Sequence, residues 1–491
     1  MSAATETNRW AALVVLCVGM LMIVLDATIV NVALPSIQDD LGFSQASLAW
    51  VVNAYLIAFG GLLLLAGRLG DLIGRRRIFM FGLVVFTLAS LLCAVAQSQS
   101  VLIGARFVPG VGGALTSAVI LGMIVTMFPE PREQAKAIGV YSFVASAGGS
   151  IGLLAGGALT EAINWHWIFF VKLPIGVATG LLALRLVGDD EGIGLRAGAD
   201  IPGAVLITGS LMLGVYTILE VGGQGWTSLQ TLGLGAVSLA RLAGFIVRES
   251  RIPNPLMPLR LFRSRNVAGA NLIQALFVAG MFGMFFLGAL FLQRVRGYDA
   301  LEVGLAFLPV TLVIGTLSLG FSERINMRFG PRATLIPALL FIGGGLALFA
   351  RVPVDAAYLP DVLPVMLLLG AGAGLAFPAL MMLAMSGATP SDSGLASGLV
   401  NTSLQVGGAV GLAVLATLAT ERTNTLLADG EATAQALTSG YHLAFLVGLG
   451  LVLAAIAVAL AVLTRAQIPA EHGDESQAEP LEPEPAYAKA A

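Results

Sequence analysis

The chain has 491 residues, 57% hydrophobic and 11% charged, with a mean hydropathy of +0.89. That balance excludes an ordinary soluble multidomain protein and points to a chain folded in lipid. A net charge of −3 excludes the global basic footprint of a nucleic-acid binder, and the two cysteines, Cys17 and Cys93, both inside apolar runs, exclude a disulfide framework or a paired-cysteine metal site. Sixty glycines mark helices that pack backbone to backbone.

Runs of about 20 apolar residues, long enough to cross a hydrocarbon core, recur along nearly the whole chain. Fourteen are counted, at 10–34, 47–67, 78–96, 100–127, 134–160, 164–186, 201–221, 231–248, 268–293, 302–321, 333–350, 361–386, 395–419 and 441–464. The first has no small-residue cleavage site after a short core and reads as a retained helix, not a signal peptide. The weakest are 231–248, which carries Arg241, and 302–321.

Lysine and arginine in short loops favour the cytoplasmic side. With the N-terminus inside, nineteen of the 26 Lys and Arg fall in cytoplasmic segments; Arg294, Arg296, Arg351 and Arg422 fall outside, and Arg106, Lys172 and Arg241 fall within spans. The expectation is an all-α polytopic membrane protein of fourteen transmembrane helices with both termini cytoplasmic, multi-pass in the cell membrane. Its segments are a cytoplasmic N-terminus (1–9), an N-terminal six-helix half (10–198), an inserted helix pair (199–250), a basic cytoplasmic linker (251–267), a C-terminal six-helix half (268–464) and a disordered acidic cytoplasmic tail (465–491). "GRLGDLIGRRR" (67–77) has a worn counterpart in "ERINMRFGPR" (323–332), where Gly330 and Arg332 stand where Gly74 and Arg76 do. Duplicated halves mark secondary transporters, whose substrate sits between them near the bilayer midplane.

An aspartate near the centre of a membrane helix costs about 2.5–3.5 kcal/mol on insertion scales, so Asp26 needs a cavity, a partner or a proton path. It lies about 12 Å from the outer end of its span at 1.5 Å per residue, and Arg106 on the fourth span lies about 9 Å below the outer face. Asn53 on the second span reaches the same level. The pair reads either as a proton-coupling site, with Asp26 the carboxylate, or as a static ion pair that pins two helices. Pro109 leaves the Ala105 carbonyl without its usual donor and bends the fourth span, for function or for packing.

In the cytoplasmic turn, Gly67, Gly70 and Gly74 permit a tight, close-packed turn, while Asp71 with Arg75 and Arg76 reads as an ion-pair gate. The alternative is that Arg75, Arg76 and Arg77 serve only as a topology signal. Gly148, Gly152 and Gly156 repeat every four residues and make one flat face, extended by Gly157, for static packing or for sliding. Asn31, Asn53, Asn271, Gln274, Asn401 and Gln405 are candidates to line a central cavity or to form interhelical hydrogen bonds. Glu220 is an outer, interfacial acid, and His166 and His442 sit at outer helix ends. No metal cluster, phosphate loop or soluble catalytic domain is present, so no enzyme is expected.

"LDATIVNVALP" behind a basic N-terminus, "GRLGDLIGRRR", "LIGARFVPGVGGAL", the glycine-rich fifth span and "WHWIFFVKLPIG" together resemble the major facilitator superfamily. The count of fourteen resembles its drug:proton antiporter family, the multidrug exporters of the quaternary-ammonium and Emr type. The resemblance spans about residues 9–464 and departs from the family pattern at Pro109 and Leu153, where glutamine and proline are usual. It implies the major facilitator fold, with Asp26 as the proton-coupling acid, Arg106 as its partner, Asp71 with Arg75 as the cytoplasmic latch, and the glycine face as an antiporter feature. It also implies proton-driven efflux of small, mostly hydrophobic drugs, dyes or antibiotics by alternating access, with no cofactor beyond the proton gradient. The partners expected are substrate, protons and the lipid bilayer, with no nucleic acid, and the chain acts as a monomer. A proton-linked symporter on the same fold and a membrane receptor are the alternatives.

Overall fold

The computed structural model describes residues 3–192, 194, 200–253, 255–256, 259–385 and 393–463. The first group of helices is α1 (Ala3–Leu41), α2 (Gln45–Ile73), α3 (Arg75–Ala94), α4 (Gln99–Met127), α5 (Pro131–Ala162), the short α6 (Trp167–Phe170) and α7 (Lys172–Leu186). A hairpin of α8 (Ile201–Gln224) and α9 (Leu229–Glu249) follows. The second group is α10 (Arg265–Leu290), α11 (Ala300–Thr316), the short α12 (Ser322–Phe329), α13 (Pro331–Phe349), α14 (Leu363–Met385), α15 (Ser393–Ala428) and α16 (Thr433–Ala461). Among the described residues eleven helices are long and apolar enough to cross a membrane, or up to twelve with the bent α2 taken as one span; Ile151–Ala162 and Ala300–Thr316 are shorter apolar stretches.

The pairings in the two groups correspond. α1 packs on α5 as α10 packs on α15, α3 on α4 as α13 on α14, and α1 on α7 as α10 on α16. Across the groups α5 meets α11 and α2 meets α15, while α8 touches both α2 and α15 and so flanks the seam. The hairpin is tied by reciprocal bonds, Ser210 Oγ donating to the Ser238 carbonyl at 2.7 Å and Ser238 Oγ to the Ser210 carbonyl at 2.8 Å.

Local chemistry sets the helix ends. Asp299 and Glu302 form a capping box that starts α11. Asp200 caps α8 by accepting from the Gly203 N–H and also binds Arg248 at 2.7 Å. Burial raises the Asp200 carboxyl, but those two donors and a hydrogen bond with Glu249 outweigh it and hold it below the usual carboxylate value.

Several boundaries differ from the sequence expectation. The first span continues to Leu41 with Pro35 inside it, because one missing donor does not end a helix whose other backbone groups must stay paired in lipid. The sixth, expected over 164–186, runs as one apolar span over Trp167–Leu186; Val171 keeps helical dihedrals, and Pro174 has no N–H for the Phe170 carbonyl. The tenth, expected over 302–321, changes from α to π at Leu317–Phe321, where Ser318 Oγ donates to the Gly374 carbonyl of α14 at 2.9 Å. The tail 465–491 and most of 193–199 lie outside the described residues.

Candidate functional site

Asp26 of α1, Arg106 of α4 and Lys172 of α7 meet in the interior of the first group, each 1% exposed or less. Arg106 Nη1 donates to Asp26 Oδ2 at 2.6 Å, and Lys172 Nζ donates to Asp26 Oδ1. Both carboxylate oxygens are therefore held by cations. Arg106 Nε also donates to the Val51 carbonyl of α2 at 2.8 Å, which ties a fourth helix to the cluster. The guanidinium lies 4.8 Å from the Tyr55 ring centroid and 5.7 Å from that of Phe169, and Lys172 Nζ lies 4.7 Å from Phe169. Aromatic faces thus replace part of the hydration that both cations lose on burial.

Two sequence features bring these groups together. Gly110 lets α4 press on α2, since a Cβ there would stand 2.5 Å from the Tyr55 carbonyl oxygen. Lys172 stands two residues before Pro174 at the start of α7, the helix that lies beside α1. The amino-acid sequence joins Asp26 to Arg106 by depth and by the family resemblance and assigns Lys172 no role. A lysine inside an apolar run is as costly as an aspartate there, and that cost is the signal that could have found it.

The polar candidates are placed less uniformly. Asn53 is wholly buried on α2 between Val51 and Tyr55, two α2 residues that touch Arg106, and neither of its side-chain polar atoms has a hydrogen-bond partner among the described residues. Asn31 is half-buried on α1 with its amide 3.5 Å from the Ala27 carbonyl. Gln274 is buried on α10, and Gln405 of α15 sits against Gly60 of α2, on the seam between the groups. Asn271 accepts from Ser403 Oγ at 2.8 Å and links α10 to α15, Asn401 is exposed, and Glu220 is half-buried near the end of α8. Among the described hydrogen bonds none joins Asn31, Asn53, Gln274 and Gln405 to one another.

The α2–α3 turn is clamped within its own group. Gly74 adopts φ +111, and the Asp190 carboxylate accepts from the Arg75 and Arg76 N–H groups at 2.6 and 3.0 Å, capping α3 from 115 residues downstream. Arg75 donates to Asp71 at 3.1 Å, to the Gly122 carbonyl at 3.1 Å and to Thr126 at 3.0 Å; Arg76 pairs with Asp189 and donates to the Leu184 carbonyl at 2.7 Å. Gly67 faces the Ala118 methyl of α4, and Gly70 is close against Val119. Asp190→Ala is expected to lower stability by about 1 kcal/mol, the usual worth of an N-cap, seen as an earlier thermal unfolding midpoint in detergent.

On α5, Gly148 faces Val24, Gly152 faces Thr28 and Gly156 faces Ile29, so these three form the bed on which α1 lies. Gly157 departs from the expected shared face: it meets the Ala300 carbonyl and Leu301 of α11 in the other group. One residue turns a helix by about 100°, which carries Gly157 off the stripe. Near the C-terminal end of α1, Gln293 donates to the Val32 carbonyl at 3.0 Å and Arg294 bonds to Pro35, Gln38 and Asp39, joining the second group to α1.

Residues 16–412 match the family described as Major Facilitator Superfamily. The chain is 39% identical over 454 residues to the puromycin resistance protein pur8 of Streptomyces alboniger, covering 91% of this chain and 90% of that protein. It is 39% identical over 455 residues to the cephamycin export protein CmcT of Amycolatopsis lactamdurans, covering 92% of each. The tetracenomycin C resistance and export protein of Streptomyces glaucescens is 32% identical, covering 86% of this chain and 78% of that protein. The fold is similar to that of a bacterial homologue of the lysosomal transporter Spinster in an inward-facing, unoccupied conformation, with a TM-score of 0.67, 18% identity, and coverage of 92% of this chain and 96% of that one. Relatives and fold alike are those of transporters. With its helices long and apolar enough to cross a bilayer, this multi-pass protein of the cell membrane belongs to the Major Facilitator Superfamily.

Proposed function

We propose that the protein exports small, mostly hydrophobic compounds, antibiotics among them, in exchange for protons. The observation that carries the coupling is the buried Asp26–Arg106–Lys172 cluster, whose charges would be costly in lipid without a function. Support for the substrate class comes from the relatives, whose names record resistance to or export of puromycin, cephamycin and tetracenomycin C. The reading needs no cofactor, because the proton gradient supplies the energy, and it needs only one copy of the chain.

The cycle is alternating access, in which two six-helix halves rock about a cavity between them and Asn31, Asn53, Gln274, Asn401 and Gln405 contribute polar lining. A change of protonation at the cluster biases the two states only by binding them unequally. The Asp71–Arg75 clamp holds the cytoplasmic end of the first half as a unit, and the stripe of Gly148, Gly152 and Gly156 lets α5 and α1 move together. The reading includes fourteen spans, adding α5 and α11 to those long enough by themselves, with both termini on the cytoplasmic side as the Lys and Arg distribution favours.

Everted membrane vesicles test the direction. An acid-inside gradient is expected to drive labelled puromycin into vesicles that contain the protein, and an uncoupler to abolish the uptake. Uptake that requires the opposite gradient would establish symport instead. A protein that binds the drug with no flux under either gradient would be a receptor.

A further inference from the structure

The cluster holds one anion and two cations. The groups against Lys172 are Asp26 on α1, Cys93 on α3, Arg106 on α4 and the Phe169 ring on α6, while Tyr55 on α2 lies against Arg106. The phenol, the thiol and the neighbouring Asn53 amide are neutral in their ordinary forms, so the site as a whole carries a charge of +1. Arginine does not give up its proton in proteins, which leaves Asp26 and Lys172 as the groups able to exchange one. A proton added to Asp26 would leave two buried cations with no counterion. A proton removed from Lys172 leaves the Asp26–Arg106 pair, net neutral and still joined at 2.6 Å. Burial in low dielectric favours the second exchange, because uncompensated buried charge is what it penalises most.

We propose that the proton exchanged at this site is carried on Lys172 Nζ, with Asp26 remaining ionised as the counterion of Arg106. The assignment rests on the proton-coupled reading above and names the atom that does the coupling. In the releasing step one N–H bond of the ammonium breaks, its electron pair stays on Nζ, and the proton passes to water reaching the site from the cytoplasmic side. Water on the outer side returns a proton to the amine. The charge-assisted bond between α1 and α7 then becomes a neutral amine contact, while the bond between α1 and α4 is unchanged. Proton exchange is thereby converted into a change in how tightly α7 is held to α1, and Lys172 is the residue that makes this change.

The chain has three lysines, Lys136, Lys172 and Lys489, so side-chain nitrogen NMR of lysine-labelled protein in nanodiscs yields few signals. Lys172 is assigned by the signal lost in Lys172→Arg or Lys172→Gln, and Asp26 by the carboxyl carbon signal lost in Asp26→Asn. The Lys172 signal is expected to convert from ammonium to amine as pH is raised over the range in which the protein transports, with the Asp26 carbon staying at its ionised position. A Lys172 signal that stays ammonium over that range, whether or not Asp26 titrates, overturns the assignment.

Transport gives a second reading that a merely structural cation would not. In proteoliposomes Lys172→Arg is expected to lose the response to a pH gradient, because its charge is fixed. Lys172→His is expected to keep it, with the midpoint displaced to lower pH. Coupled flux that survives in Lys172→Arg and fails in Lys172→His overturns the proposal. Should Lys172 titrate while the wild-type protein shows no gradient-driven flux, the lysine assignment stands and the transport reading falls.

Discussion

Asp26→Asn is expected to abolish pH-gradient-driven flux and to lower stability by roughly 3–5 kcal/mol, the usual effect of removing one partner from a buried ion pair. The substitution keeps the size of the side chain but leaves Arg106 and Lys172 buried side by side without an anion. The loss is therefore electrostatic rather than steric. Gradient-driven uptake of puromycin into vesicles reads the first effect, and the thermal unfolding midpoint of purified protein reads the second. The double variant Asp26→Asn with Arg106→Gln separates them. It leaves one lysine, which can become neutral by giving up a proton, so stability is expected to return in large part while coupled transport stays absent. If the single variant transports like wild type with unchanged proton dependence, the cluster is not the coupling site.

Gly156→Val is expected to have the next largest effect, a loss of transport with destabilisation of about 1–3 kcal/mol from overpacking. A Cβ at Gly156 would lie 2.6 Å from the Ile29 carbonyl oxygen and 3.0 Å from Ile29 Cγ1, so backbone must move before any side chain fits. α1 carries Asp26 one turn below Ile29, and displacing it from α5 misplaces the carboxylate that two cations depend on. Gly149→Ala is the control, since among the described residues its Cβ meets only the Thr311 methyl at 3.7 Å, and activity is expected to persist. Uptake and unfolding temperature measured on the two variants decide the matter; equal tolerance would mean that the α1–α5 contact has slack and that the stripe is not a fitted bed.

Much of the site is legible in the amino-acid sequence. Helical rise alone puts Asp26 and Arg106 at one depth, and the two are hydrogen-bonded at 2.6 Å. The four-residue spacing of Gly148, Gly152 and Gly156 specifies one face, and that face lies against α1. Other elements are not legible there. Asp190 caps a helix that begins 115 residues earlier, and no local pattern announces the partner. Gly157 adjoins the stripe in sequence yet packs across the seam on α11. Lys172 is visible as an anomaly, but its place on the second oxygen of Asp26 depends on α7 lying beside α1.

The sequence by itself determined where the chain is apolar enough to cross a membrane and which charges would be costly there, because hydropathy and helical rise are properties of one segment at a time. Only the tertiary structure decided which of those charges meet. Lipid is as apolar as the helix surfaces it bathes, so no contrast of hydrophobicity marks the side of a span that turns toward a neighbour. Helix order is set instead by small residues that let backbones approach and by partners more than a hundred residues apart, and it is that order which surrounds one buried carboxylate with two cations.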